Sequence, residues 1–151
     1  MTLTPSKLNS YLMLKLPAAF ICGVRSKHID NEKCIVTVKH RWINQNPFKS
    51  MFWAVQGMAA ELTTGALMIS EISKSGKKIS MLVLSNTASF SKKATGRITF
   101  VCDEGDKVKE TIATAIATGE GQTVWLKSVG TNAEGVEVST FNFEWTVKVK
   151  G

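Results

Sequence analysis

The segment NPFKSMFWAVQGMAAELTTG (residues 46–65) sets one carboxylate, Glu61, among small and apolar neighbours. Met51, Ala54, Met58, Ala59, Ala60, Leu62 and Met68 are good helix formers, which predicts a helix over about 51–68. Asn46 or Ser50 stands where a cap is needed. Apolar residues fall on nearly every side, so this helix belongs inside a core rather than on a surface. Gly57 and Gly65 each cost a helix about 1 kcal/mol relative to alanine, and close packing of another backbone would account for them. Ala54, Gly57, Glu61 and Gly65 follow i, i+3, i+7 and i+11, so Glu61 projects from a stripe of small residues.

Upstream, Leu8, Leu12 and Leu16 are four apart and predict an N-terminal helix from Pro5 to Leu16. FICGVRSKHID (20–30) and CIVTVKHRW (34–42) read as strands, the second rich in β-branched residues, with DNEK (30–33) as the turn. Downstream, strand patterns dominate: ISMLVLSNTASF (79–90), TGRITFVCD (95–103), TVWLKSVG (123–130) and VEVSTFNFEWTVKV (136–149). The last two form a hairpin across TNAEG (131–135), whose glycine suits a left-handed turn position. Residues 103–119 have two readings. A short helix capped by Asp106 would align Val108, Ile112, Ala115 and Ile116, whereas a strand would alternate Ile112, Thr114 and Ile116 with alanines. The long strands on either side favour strand. The fold class is therefore α+β: about six antiparallel strands curled around a central helix, in one domain spanning 1–151 with its core over about 20–149.

Composition narrows the chemistry. A chain of 151 residues with 44% hydrophobic and 21% charged residues can bury one core. No apolar run approaches the roughly 20 residues of a membrane-spanning helix. YLMLKLPAAFICG (11–23) has a superficial likeness to a signal peptide, but Lys15 and Pro17 interrupt it, so a cytoplasmic location is expected. Cys22, Cys34 and Cys102 are odd in number, widely spaced and without a C-x-x-C pair, which argues against a disulfide framework or a zinc site. His28 and His40 fit neither H-E-x-x-H nor a serine triad. No metal or cofactor is expected. Catalysis would have to rest on a carboxylate, an amide, a hydroxyl or backbone N–H groups. The formal net charge of +7 attracts polyanions such as nucleic acid or a phosphate-bearing ligand. The lysines are scattered and no aromatic RNA-binding motif is present, so nucleic acid is not the expected partner.

The order strand, strand, Asn-containing loop, buried helix and then antiparallel strands resembles the hotdog fold. The helix is similar to that of small acyl-CoA thioesterases of the phenylacetate-pathway type, with Asn46, Glu61 and Gly65 matching that motif's asparagine, acidic residue and trailing glycine. The basic, glycine-marked turn after residue 90 and the closing hairpin with Gly135 fit as well. Where that family has glycine and then His-Gly-Gly, this chain has Lys49 and then Phe52, Trp53 and Ala54. Its Asn-Pro-Phe loop is similar to that of an uncharacterised hotdog branch.

The resemblance implies hydrolysis of an acyl-CoA thioester. Glu61 would be the nucleophile or general base, Asn46 a second catalytic residue, and the N–H groups near Trp53 and Ala54 the oxyanion donors. Gln56 would orient the carbonyl, Thr64 would bond the carboxylate or water, and Phe52 and Trp53 would line an acyl tunnel. Lys92, Lys93 and Arg97 are candidates for coenzyme A phosphates. The resemblance also implies a homodimer, or a tetramer built from it. Two other readings stay open: a non-catalytic hotdog module that binds an acyl chain or related ligand, and a basic module for anionic surfaces.

Overall fold

The computed structural model describes residues 2–151. Helix α1 covers Pro5–Lys15, with Thr4 as its cap: the Thr4 hydroxyl accepts the Lys7 N–H at 3.2 Å. Leu8 and Leu12 are its buried anchors. The strand expected from Phe20 does not start there. A second short helix, α2 (Pro17–Ile21), intervenes, because proline at the first helical position loses no bond and its fixed φ suits a new helix. Leu16 takes the bend between the two helices, at φ −131° and ψ 58°.

The strands are β1 (Arg25–Ile29), β2 (Cys34–Lys39), β3 (Ile79–Phe90), β4 (Arg97–Cys102), β5 (Gln122–Thr131) and β6 (Glu137–Val149). They form one six-stranded sheet in the order β1-β2-β4-β5-β6-β3, and all neighbours run antiparallel. The DNEK turn forms as expected, with the Asp30 carboxylate accepting the Glu32 and Lys33 N–H groups. So does the β5–β6 hairpin, where Gly135 sits at φ +77°.

The central helix, α3, runs from Trp53 to Ser75, a turn and more beyond the expected end, and stops where Gly76 adopts φ +67°. Neither Asn46 nor Ser50 caps it. The cap position is Phe52, which has no side-chain acceptor. The sheet's inner face meets α3 through alternate β6 residues, Phe141, Phe143, Trp145 and Val147, all buried. The small-residue stripe receives rings here rather than another backbone. A Cβ on Gly57 would lie 3.5 Å from the Phe141 ring, and one on Gly65 would lie 3.3 Å from Trp145. Nor is α3 covered all round, since Trp53 and Glu61 are exposed.

Residues 103–119 are also corrected: Gly105–Thr118 form helix α4. Val108, Ile112 and Ala115 are buried on one face, as the helical period demands. The threonines that argued for strand lie outside, and each hydroxyl of Thr111, Thr114 and Thr118 donates to the carbonyl four residues back. Asp106 lies in the first turn rather than at the cap, which is Glu104. Tertiary packing overrides the β preference of threonine at this point.

Candidate active site

Two ligand-sized cavities beside α3 take in most of the candidate residues. The first, about 460 Å³, lies at the start of the helix and is lined by Asn46, Phe48, Phe52, Trp53 and Gln56 together with Phe90, Lys92 and Lys93. Asn46 shapes its loop. Its Oδ1 accepts the N–H groups of Phe48 (2.8 Å) and Ser50 (3.2 Å), while Nδ2 donates to Ser50 Oγ (2.9 Å) and to the Met51 carbonyl (3.3 Å). With both ends of the amide engaged, Asn46 positions the loop rather than reaching into the cavity. Lys49 at the loop tip takes φ 60°, a conformation a non-glycine residue seldom adopts.

The N–H groups of Val55 and Gln56 return to the Phe52 carbonyl, at 3.0 and 3.3 Å. Those of Trp53 and Ala54 have no acceptor among the described residues, as the first turn of any helix leaves them. Gln56 is 4% exposed, and its Nε2 lies 3.4 Å from the Met51 carbonyl. Its Oε1 has no partner among the described residues, and a buried acceptor in that state invites a donor. Phe52 and Trp53 meet edge to face with centroids 6.1 Å apart, and both remain largely open to solvent. Lys93 Nζ donates to the Phe48 carbonyl at 3.1 Å. Arg97 is not in this cavity. It starts β4, opposite Lys39.

The second cavity, about 470 Å³, holds Glu61. Around the carboxylate stand Met58, Leu62, Gly65 and Ile69 of α3, Tyr11, Leu12, Leu16 and Ala19 of the N-terminal helices, and Met81 and Trp145 of the sheet. Glu61 meets water through the open mouth, yet the apolar walls remove enough hydration to push its pKa above the usual carboxylate value. Thr64 is fully buried and does not serve the carboxylate. Its hydroxyl donates to the Glu61 backbone carbonyl (2.9 Å) and accepts the Trp145 indole N–H (2.9 Å). That bond fixes the Trp145 ring against Gly65, so Thr64 acts on the cavity only through its wall.

The distances separate the expected partners. Eight residues of helix put Trp53 and Glu61 about 12 Å apart along the axis. Five residues at about 100° each put Gln56 and Glu61 about 140° apart around it. Within one chain, the helix-start donors and the Glu61 carboxylate face different spaces. Tyr11, Leu16, Ala19, Met81, Phe90 and Trp145 line these spaces and were not legible as site residues. Only their apolar periodicity was visible, and it reads equally as core.

Among the described residues, no group of three or more His, Cys, Asp or Glu could hold a metal ion, and no helix is long and apolar enough to cross a membrane. Cys34 and Cys102 are cross-strand neighbours, both buried, and burial pushes their thiols up to about 12, which makes them inert packing groups.

A family described as a domain of unknown function (DUF4442) matches residues 6–147. No curated protein matches the sequence. Among solved structures, a Pseudomonas aeruginosa protein of unknown function described as a probable thioesterase superposes with TM-score 0.84 at 20% identity, covering 99% of each chain. A protein of unknown function from Chlorobaculum tepidum gives 0.82 at 15% identity, again over 99% of each chain. A thioesterase from Haemophilus influenzae gives 0.72 at 13% identity, over 99% of this chain and 93% of that one. At such identities the likeness establishes the fold, and the fold is the hotdog fold.

Proposed function

We propose, from the premise that this chain belongs to the DUF4442 family and has the hotdog fold, that it hydrolyses an acyl thioester such as an acyl-CoA, with Glu61 as the catalytic carboxylate. One observation carries the reading: a carboxylate with an upward-shifted pKa on the wall of an otherwise apolar, ligand-sized cavity. As general base, Glu61 takes a proton from water while the water oxygen bonds to the thioester carbonyl carbon. The resulting oxyanion is held by the free N–H groups of Trp53 and Ala54. The C–S bond then breaks, and the thiolate recovers the proton from Glu61. A pKa raised towards the working pH suits both transfers.

The roughly 12 Å between those groups within one chain supports a second element of the proposal, a homodimer. β3 is one of the two edge strands of the sheet, β1 being the other. Met81, near one end of it, lines the Glu61 cavity, and Phe90, at the other end, lines the helix-start cavity. Antiparallel pairing of β3 with its copy would set one chain's Met81 end beside the other's Phe90 end. Glu61 would then face the helix start of the second copy, giving two equivalent sites. Lys92 and Lys93, which line the helix-start cavity, would meet coenzyme A phosphates as point charges, whereas Arg97 lies apart.

The bulk of Phe52 and Trp53 at the helix start favours one competing reading, a module that binds an acyl ligand without cleaving it. Thiol release from a panel of acyl-CoA esters decides between them. Glu61→Gln should lower kcat/KM by about 10²-fold or more with an unchanged circular dichroism spectrum. Absence of turnover by the wild type across the panel, or full activity in the variant, would sink the catalytic reading.

A further inference from the structure

Helices α1 and α2 precede the elements that the hotdog pattern requires, and nothing in the proposed chemistry uses them. Their inward residues nonetheless form one side of the Glu61 cavity: Tyr11 and Leu12 from α1, Leu16 at the bend and Ala19 from α2. On α3 the cavity is lined by Met58, Glu61, Leu62, Gly65 and Ile69, spaced i, i+3, i+4, i+7 and i+11 along one helical face. The space therefore follows α3 away from the carboxylate, and Ile69 lies about 12 Å beyond Glu61 along the axis. Gly65 keeps this path open, since a Cβ there would lie 3.3 Å from the Trp145 ring.

We infer that α1 and α2 form an acyl-length gauge: the tail of a bound acyl group lies between them and α3, and the Leu16 side chain sets where a straight tail must stop. This rests on the acyl-thioester reading for its ligand, but not on catalysis. An apolar tail is the occupant the walls select. The lining offers the Glu61 carboxylate and the Tyr11 hydroxyl as polar side chains, the Trp145 indole N–H being already taken by Thr64, and the volume is that of a small-molecule site. Leu16 is the residue to alter because it combines a wall position with 44% exposure, so its size can change without disturbing the packed core. Pro17, which starts α2 directly after it, holds the bend that presents it.

The experiment uses the full chain as wild type, Leu16→Trp and Leu16→Ala, with folding checked by thermal unfolding. Hydrolysis of straight-chain acyl-CoA esters from butyryl to palmitoyl is measured alongside calorimetric binding of the matching fatty acids to each variant. Leu16→Trp should lower the long-to-short ratio of kcat/KM by about 10-fold or more, since a single methylene in a pocket is worth roughly that much. Leu16→Ala should move the longest accepted chain the other way, and the binding cut-offs should move in parallel. If turnover is absent but the binding cut-off moves, the gauge stands and the catalytic reading falls. If the folded variants keep the wild-type cut-off, or if the wild type binds no acyl chain at all, the gauge is overturned.

Discussion

Replacing Thr64 by valine should cost the protein about 1–3 kcal/mol, although the residue lines neither cavity. Among the described residues, the Thr64 hydroxyl is the one acceptor for the Trp145 indole N–H, at 2.9 Å, and Trp145 is only 5% exposed. Valine keeps the shape and the helix propensity of threonine but cannot accept the bond. The indole N–H is then buried without a partner, which costs about 1–3 kcal/mol. The other bond of the hydroxyl, to the Glu61 carbonyl, is dispensable because that carbonyl also accepts within the helix. At about 2–4 °C per kcal/mol for a chain of this size, a mid-range loss lowers Tm by about 4–8 °C. Urea unfolding followed by circular dichroism gives the free energy, and a double-mutant cycle with Trp145→Phe isolates the bond. The coupling should be about 1–2 kcal/mol, because phenylalanine has no N–H to strand. If Thr64→Val is equally damaging in the Trp145→Phe background, or harmless in the wild type, the assigned role of Thr64 is wrong.

Two further outcomes follow from the same packing. Gly105→Ala places a Cβ 2.0 Å from the Asn31 carbonyl oxygen and 2.7 Å from Glu32 Cα, both backbone atoms that cannot swing aside; a loss of about 1–3 kcal/mol or more is expected in denaturant unfolding. Gly57→Ala, whose Cβ would rest at an ordinary 3.5 Å from Phe141, should be neutral or stabilising by up to about 1 kcal/mol. The pH dependence of Glu61 has a fixed sign. Its folded pKa is raised by desolvation, so the folded state holds the proton more tightly than the unfolded chain does. Relative to Glu61→Gln, its favourable contribution is complete below the ordinary carboxylate pKa of about 4.3 and is lost as pH rises through the raised value. A wild type that gains on the variant over that window in parallel unfolding titrations contradicts the assignment.

The hotdog outline was legible because its signals are periodic and local. The β-branched run of Cys34–Lys39, the alternation in Glu137–Val149 and the small-residue stripe of α3 each have one strong reading. Residues 103–119 misled because threonine has two ways to satisfy its hydroxyl. Only the docking of Val108, Ile112 and Ala115 against the core chooses helix. The site was legible in part. Glu61 stood out as a carboxylate among small residues, and it lies on the wall of a largely apolar cavity. Asn46 has the right spacing, but its amide is consumed by its own loop. Thr64 is one residue away from the stripe and faces the sheet. Spacing along a helix reports which face a residue shares, but not whether the space beyond that face is filled.

The stripe itself shows how β6 shapes the candidate site. Phe141 and Trp145 are four residues apart on one strand, so their rings project to the same face about 13 Å apart. Gly57 and Gly65 are eight residues apart on α3, about 12 Å along its axis. The two spacings nearly coincide, so each ring settles on a glycine and α3 lies close against β6. Glu61 is midway between the glycines and lines the cavity shared with the N-terminal helices. A larger residue at Gly65 would press on Trp145, whose indole is tied to Thr64 and cannot retreat without losing its bond. The glycines thus let α3 lie close against the sheet, and the Trp145 ring seated on Gly65 forms one wall of the cavity on which Glu61 opens.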